Sequence, residues 1–423
     1  FDNQIGSLLL CLYRSYRVFF NGIHDAANLG PIGEVSMALT PLFPVTTVGS
    51  WPRSTTLIQA LLRKQSGEIT SSEFGAVADQ EVIAALRAQE DAGVDIVTDG
   101  EQRRDNFYSF VVDKLSGMQL MKVSELLDYA KDRARMEEVL RALDVPAFAI
   151  KSPIVVGKLH KRDGLALDEL AFMKKHTDRP IKIPLPGPYM LTRSSWFEGL
   201  SDQVYDSSEE LAKDVVGILR EELIALRDQG CDFVQFDEPI LSQVVFGEES
   251  TETFMCASLP QRRDPTEELE FAVRLMNETV EGISGIKTGV HVCRGNWSRR
   301  EDVLLSGNYG PMLPFLMQMN IDQLVLECAT PRAGEMEVFK EYRNEKEIGL
   351  GVVNPRTDVI ESPDEIVTKV KEIMKFFDPD KVYLNPDCGF GTFAERNVNT
   401  PETAKKKLLV MAQAAAKLRA EYG

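Results

Sequence analysis

The sequence predicts an α/β protein built as a (β/α)8 TIM barrel, with a helical excursion and an inserted hairpin. Three observations carry this. After Met37, short β-rich runs alternate with longer amphipathic stretches, the pattern of parallel strands joined by crossover helices. Several amphipathic stretches open on a Ser or Asp followed by Glu, and two end on glycine, which are helix start and stop signals. Six of the β-rich runs finish in polar or reactive side chains, as barrel strands do where they face an active site.

The candidate strands are VTTVG (45–49), VDIVTD (94–99), SPIVVG (152–157), IKIPLP (181–186), DFVQFD (232–237), KTGVHV (287–292), QLVLE (323–327), IGLGVV (348–353) and KVYLN (381–385). Nine runs compete for eight staves. SPIVVG is expected to be the one left out, as part of a hairpin beside the barrel, because LHKRDG after it reads as a turn and not as a helix. The clearest helices are 71–93, 207–230 and 362–377. Residues 121–145 are charged and periodic, and are expected to form the helical excursion. No linker-like composition break and no internal repeat divides the rest. Residues 38–423 are therefore expected to form a single catalytic barrel, and residues 1–37 a poorly ordered N-terminal extension.

With 423 residues, 43% apolar and 27% charged, the chain affords a large core and has no disordered bias. Its net charge of -17 repels polyanions, which argues against nucleic acid or an anionic membrane as partner. LLLCLY (8–13) is too short to span a bilayer and lacks a preceding basic region. Six scattered cysteines do not form a disulfide framework and suit a reducing compartment, so a cytoplasmic location is expected.

Residues two apart on a strand share a face, so His291 and Cys293 of HVCRGN can reach one point in the barrel mouth. Glu327, ending the next strand, and Cys388, just beyond the last, would complete an N, O, S2 donor set suited to Zn2+. The competing reading of HVC is a buried strand pair with no ligand role. Cys231, Cys256 and Cys328 read as small core or wall residues, and His160 and His176 as solvated surface histidines.

TTVGSWPRS, VTDGEQRRDNFYSF, QFDEPIL, HVCRGN, VLECATPRAGE and YLNPDCGFGTF occur here in one order. In this the chain resembles the catalytic half of cobalamin-independent methionine synthases and their shorter single-barrel relatives, over most of residues 44–423. The resemblance implies a zinc-dependent methyltransferase that makes methionine from homocysteine, with zinc held by His291, Cys293, Glu327 and Cys388. It assigns the substrate ammonium to Glu101 and Asp237, and the substrate carboxylate to Gly49 and Ser50. The alternative for the two acids is pairing with Arg103, Arg104 or Arg294.

Two departures from the family leave the methyl donor open between a methylated corrinoid, carried by a corrinoid protein, and methyltetrahydrofolate. The full-length enzymes carry a further N-terminal barrel that helps hold polyglutamylated folate, and residues 1–36 are too few to replace it. Where longer members have a histidine, this sequence aligns Arg356, which cannot act as a general acid but can bind an anion. Trp196 reads equally as a pterin-stacking ring or a wall aromatic. Arg294 with Arg356 would form a local positive site, which keeps open a relative that alkylates another thiol, epoxyalkane:coenzyme M transferase. A noncatalytic zinc- and thiol-binding barrel is the third reading.

Overall fold

A computed structural model describes residues 40–129, 133–134, 151–247, 253–254, 257–258 and 264–423. The expected N-terminal extension and Cys256 lie outside the described residues. So does most of the expected excursion at 121–145, of which the helix Val123–Leu126 is described.

Six parallel strands form the main sheet: β3 (Lys182–Pro186), β4 (Phe233–Asp237), β7 (Lys287–Val292), β8 (Gln323–Leu326), β9 (Glu347–Val353) and β10 (Val382–Pro386). Their spatial order is β10-β9-β8-β7-β4-β3. Two short segments join its edges: Val45 bridges Leu384 of β10, Thr46 bridges Ile96, and Val97 bridges Ile181 beside β3, all in parallel sense. Thr46 N donates to Leu384 O at 2.9 Å, and Lys182 N to Val97 O at 2.9 Å. Eight staves therefore close the ring, two of them reduced to bridges, where the runs 45–49 and 94–99 predicted full strands.

The remaining predicted strand, SPIVVG, stands outside the ring as expected. It belongs to β2 (Lys151–Lys161), antiparallel to β1 (Leu115–Lys122), from Leu115 opposite Lys161 to Lys122 opposite Lys151. The run LSGMQLMK gives no strand signal because its register shifts between Ser116 and Met118. Gly117 sits there at φ 86, where a Cβ would come 2.3 Å from Lys158 O. Only glycine fits that bulge. A two-residue pair, β5 (Thr253–Phe254) with β6 (Ala257–Ser258), follows β4.

The helices form where capping and periodicity place them. Ser71–Asp91 starts on a Thr70/Glu73 capping box, Ser208–Asp228 on Ser207, and Pro363–Ile373 on a Ser362/Glu365 box. Each cap contributes about 1 kcal/mol by satisfying an otherwise orphaned N–H. Their apolar faces, including Val82, Leu86, Leu219, Leu223 and Val370, pack on the outward side chains of the staves in one continuous core. Inward positions follow the other parity, and Phe233 and Val325 pack there with Val48. Among the described residues no helix is long and apolar enough to cross a membrane.

Candidate metal centre and acceptor pocket

The polar strand ends converge on one cleft of about 480 Å³. The pairing of β4 with β7 sets Asp237 directly beside His291. Tyr309 clamps the ends of β7 and β8, since its hydroxyl accepts from Glu327 N at 2.9 Å and donates to Val292 O at 2.9 Å. Asp387 ties the end of β10 to that of β8, because its Oδ1 accepts from Cys328 N at 2.8 Å and Ala329 N at 2.7 Å. Cys388 follows at once.

This scaffold brings His291, Cys293 and Cys388 together, with one ligand atom from each inside a 4.8 Å cluster. All three are buried. His291 Nδ1 donates to Val325 O at 3.0 Å, which fixes the tautomer and leaves the lone pair on Nε2. Nε2 is itself buried and, among the described residues, has no hydrogen-bond partner. A buried acceptor left open beside two sulfurs fits a soft or borderline cation such as zinc. Cys293 is held well below the usual thiol range by its hydrogen bond to the Cys388 thiol and by His291, against burial. The same pairing drives Cys388 upward. The two sulfurs thus form a hydrogen-bonded pair beside the open imidazole nitrogen.

Glu327 is not part of that three-residue cluster. Its Oε1 is paired with Arg332 and, at 3.0 Å, with Arg356, while Oε2 accepts from Arg294 N at 2.9 Å. Arg294 and Arg356, the two arginines expected to form an anion site, are not among the residues that line the cleft. Arg294 follows Cys293 with the opposite parity. It lies in the wall, donating to Gly307 O at 2.7 Å, with its guanidinium 4.0 Å from the Tyr309 ring centre. Arg356 is enclosed by Glu301 at 3.1 Å, Glu327 at 3.0 Å and Asp387 at 3.7 Å. Its charge is consumed behind the cysteines.

Glu101 and Asp237 both line the cleft. None of the three arginines considered as partners pairs with either acid: Arg103 binds Asp79, Arg104 binds Glu169, and Arg294 lies in the wall. Glu101 has a left-handed backbone at φ 53, which costs roughly 1–2 kcal/mol for a non-glycine residue. That turn lays its carboxylate over Gly49, where a Cβ would sit 2.3 Å from Oε1. Oε2 is buried and, among the described residues, has no hydrogen-bond partner. Burial pushes Glu101 up to about 8, with Arg104 opposing and Asp237 adding to the rise. Burial also raises Asp237, to about 6, against His291 and Gln235. Ser50 lines the cleft too, its Oγ accepting from Gly391 N at 3.3 Å, whereas Gly49 acts through its contact with Glu101.

Arg104 holds Glu169 through Nε at 3.0 Å and through a second, shorter contact, while its Nη1 donates to Pro184 O at 2.8 Å. Both side chains are at least 95% buried. Arg104→Met is expected to destabilise the fold by about 3–5 kcal/mol, because it strands a buried carboxylate. Thermal or urea unfolding measures this, and a loss below about 1 kcal/mol would contradict the assignment.

Sequence reasoning missed the apolar part of the cleft. Phe107, Trp297 and Phe393 line it, with Asn296 and Thr392 between them. Asn296 Nδ2 donates to Gly389 O at 2.7 Å and Thr392 Oγ1 at 2.7 Å, which braces the loop beside Cys388. Four of these residues stand inside motifs already quoted, in FYSF, GFGTF and HVCRGN, and Trp297 directly follows the last of these. Trp196, in contrast, packs half-buried against the core and does not line the cleft. Cys231 and Cys328 are buried thiols pushed up to about 12 by burial, as core cysteines should be. Glu238 turns away from the cleft and accepts from the N–H groups of Tyr189 and Met190 at 2.9 and 2.8 Å.

The chain is similar to known proteins over most of its length. Residues 43–417 match the family model described as "Cobalamin-independent synthase, Catalytic domain". The methionine synthase of Sulfurisphaera tokodaii is 28% identical over 351 residues, covering 82% of this chain and 86% of that protein. That of Saccharolobus solfataricus is 25% identical over 387 residues, covering 91% and 97%. Among solved structures, a B12-independent methionine synthase from a Shewanella species, in complex with selenomethionine, superposes with a TM-score of 0.67 at 24% identity, covering 90% and 98%. A putative one from Listeria monocytogenes gives 0.63 at 21% identity, covering 90% and 98%. These two support the barrel fold. Since one family model spans nearly the whole barrel, cysteine-bearing strand ends included, this chain belongs to the methyltransferase family of cobalamin-independent methionine synthases, by its catalytic domain.

Proposed function

We propose that this protein is a zinc-dependent S-methyltransferase that converts homocysteine to methionine in a reducing cytosol. One observation carries the reading: an open, buried imidazole nitrogen meets two sulfurs in a cleft lined by two acids that, among the described residues, form no salt bridge with an arginine. His291, Cys293 and Cys388 would hold zinc, and Glu327 is proposed to complete the donor set from its arginine-bound position. Zinc bound there would keep the acceptor sulfur deprotonated near neutral pH.

The protein's own groups orient the acceptor. Asp237 and Glu101 would take its ammonium, and the Ser50 hydroxyl its carboxylate, so that the sulfur end points at the cysteines. Coenzyme M would need a cation for its sulfonate, and neither Arg294 nor Arg356 is among the residues that line the cleft. This favours an amino-acid thiol. Phe107, Trp297 and Phe393 supply apolar surface for the methyl donor. Arg356 holds its proton too tightly to protonate a leaving folate nitrogen, which favours a donor without that demand, such as a methylated corrinoid.

The test is methionine formation from homocysteine with methylcobalamin, methyltetrahydrofolate and its polyglutamate in parallel. Turnover is expected with methylcobalamin, lost on chelation and restored by added zinc. Zinc and thiol binding without methionine from any donor would contradict the reading and favour a noncatalytic barrel.

A further inference from the structure

Lys182 opens β3 and is wholly buried inside the barrel. Its Nζ donates to Gln235 Oε1 at 3.1 Å and stands 5.3 Å from the Phe233 ring centre. Among the described residues no carboxylate lies within ion-pair distance of it. Enclosing an amine with so little compensation is unfavourable, and apolar side chains of similar volume fill such barrel layers without that cost. A buried lysine in this layer therefore calls for another role.

Gln235 passes the contact onward. Its Nε2 donates to Asp237 Oδ1 at 2.8 Å and to Val48 O at 3.0 Å. A reversed amide would set Oε1 against both of those acceptors and Nε2 against an ammonium. The Val48 carbonyl and the Asp237 carboxylate call for Nε2, and Lys182 Nζ, donating to Oε1 from below, reinforces that one orientation of the glutamine. The line of contacts runs from the floor of the barrel to a carboxylate that lines the cleft.

We infer that Lys182 is a positioning residue for acceptor recognition: through the Gln235 amide it holds the Asp237 carboxylate in place to receive the substrate's ammonium. The inference rests on the proposed role of Asp237. It gives the buried lysine a part in specificity, exercised without touching substrate, and it separates acceptor selection from the metal ligands. Gln235 and Lys182 then act as one unit, and loss of either partner should free the carboxylate to rotate.

The test uses the zinc-loaded protein and two variants, Lys182→Met and the double variant K182M/Q235L, which replaces both partners by apolar groups and so leaves no unpaired amide. Calorimetry gives the Kd for homocysteine and for its desamino analogue, alongside zinc content and Tm. The wild type is expected to prefer homocysteine, and both variants to lose about 10-fold of that preference with zinc content unchanged. Loss of packing alone would weaken both ligands alike. A folded, zinc-replete variant of either kind that keeps the wild-type preference overturns the inference. A wild type without preference would overturn the ammonium role of Asp237 itself, and this inference with it.

Discussion

Replacing Cys388 by serine is expected to lower zinc affinity by at least about 100-fold and methionine formation in proportion, since losing even a residue behind a ligand costs 10–100-fold. Cys388 would be the ligand contributed from beyond β10, and serine offers a hard, protonated oxygen in place of a thiolate. Glu327→Gln should cost less, because Glu327 starts from pairs with Arg332 and Arg356 that the amide only partly gives up. Chelator competition and metal analysis measure both. Equal losses in the two variants, or full zinc content in C388S, would contradict this ranking.

Asp237→Asn is expected to raise KM for homocysteine at least about 30-fold while leaving zinc content unchanged, because it removes one side of a buried charge pair formed with the substrate. The asparagine oxygen can still accept from Gln235, so the fold should tolerate it. The pH dependence follows from the raised carboxyls. Asp237 at about 6 and Glu101 at about 8 bind protons more tightly in the folded protein than their ordinary values of 3.8 and 4.5 imply. Two consequences have opposite sign. Fold stability from these groups falls as pH rises from about 4 through 8, since the unfolded chain has already released those protons. Acceptor binding improves over pH 6 to 8, since an ammonium needs ionised carboxylates. A KM that rose over that range would contradict their role.

The barrel was legible because its evidence is periodic. Strand parity places His291 and Cys293 on one face, and the helices read at 71–93 and 362–377 are found at Ser71–Asp91 and Pro363–Ile373. Parity also accounts for where Arg294 lies: one step past Cys293, it turns into the wall and stacks on Tyr309. Glu327 was placed at the right strand end, but Arg332 and Arg356 capture its carboxylate from loops whose geometry no periodicity reports. The apolar lining was missed for the same reason, since Phe107, Trp297 and Phe393 all follow strands in irregular segments. β1 escaped notice because the Gly117 bulge breaks its alternation.

The central claim is that His291, Cys293 and Cys388 bind one cation and leave room for the acceptor sulfur. Zinc-edge X-ray absorption on the purified, zinc-loaded protein tests it most directly. The account predicts two sulfurs at about 2.3 Å with lighter N/O donors at about 2.0 Å, and a third sulfur once homocysteine is added. A shell of nitrogen and oxygen alone, or a sulfur count indifferent to homocysteine, would contradict it.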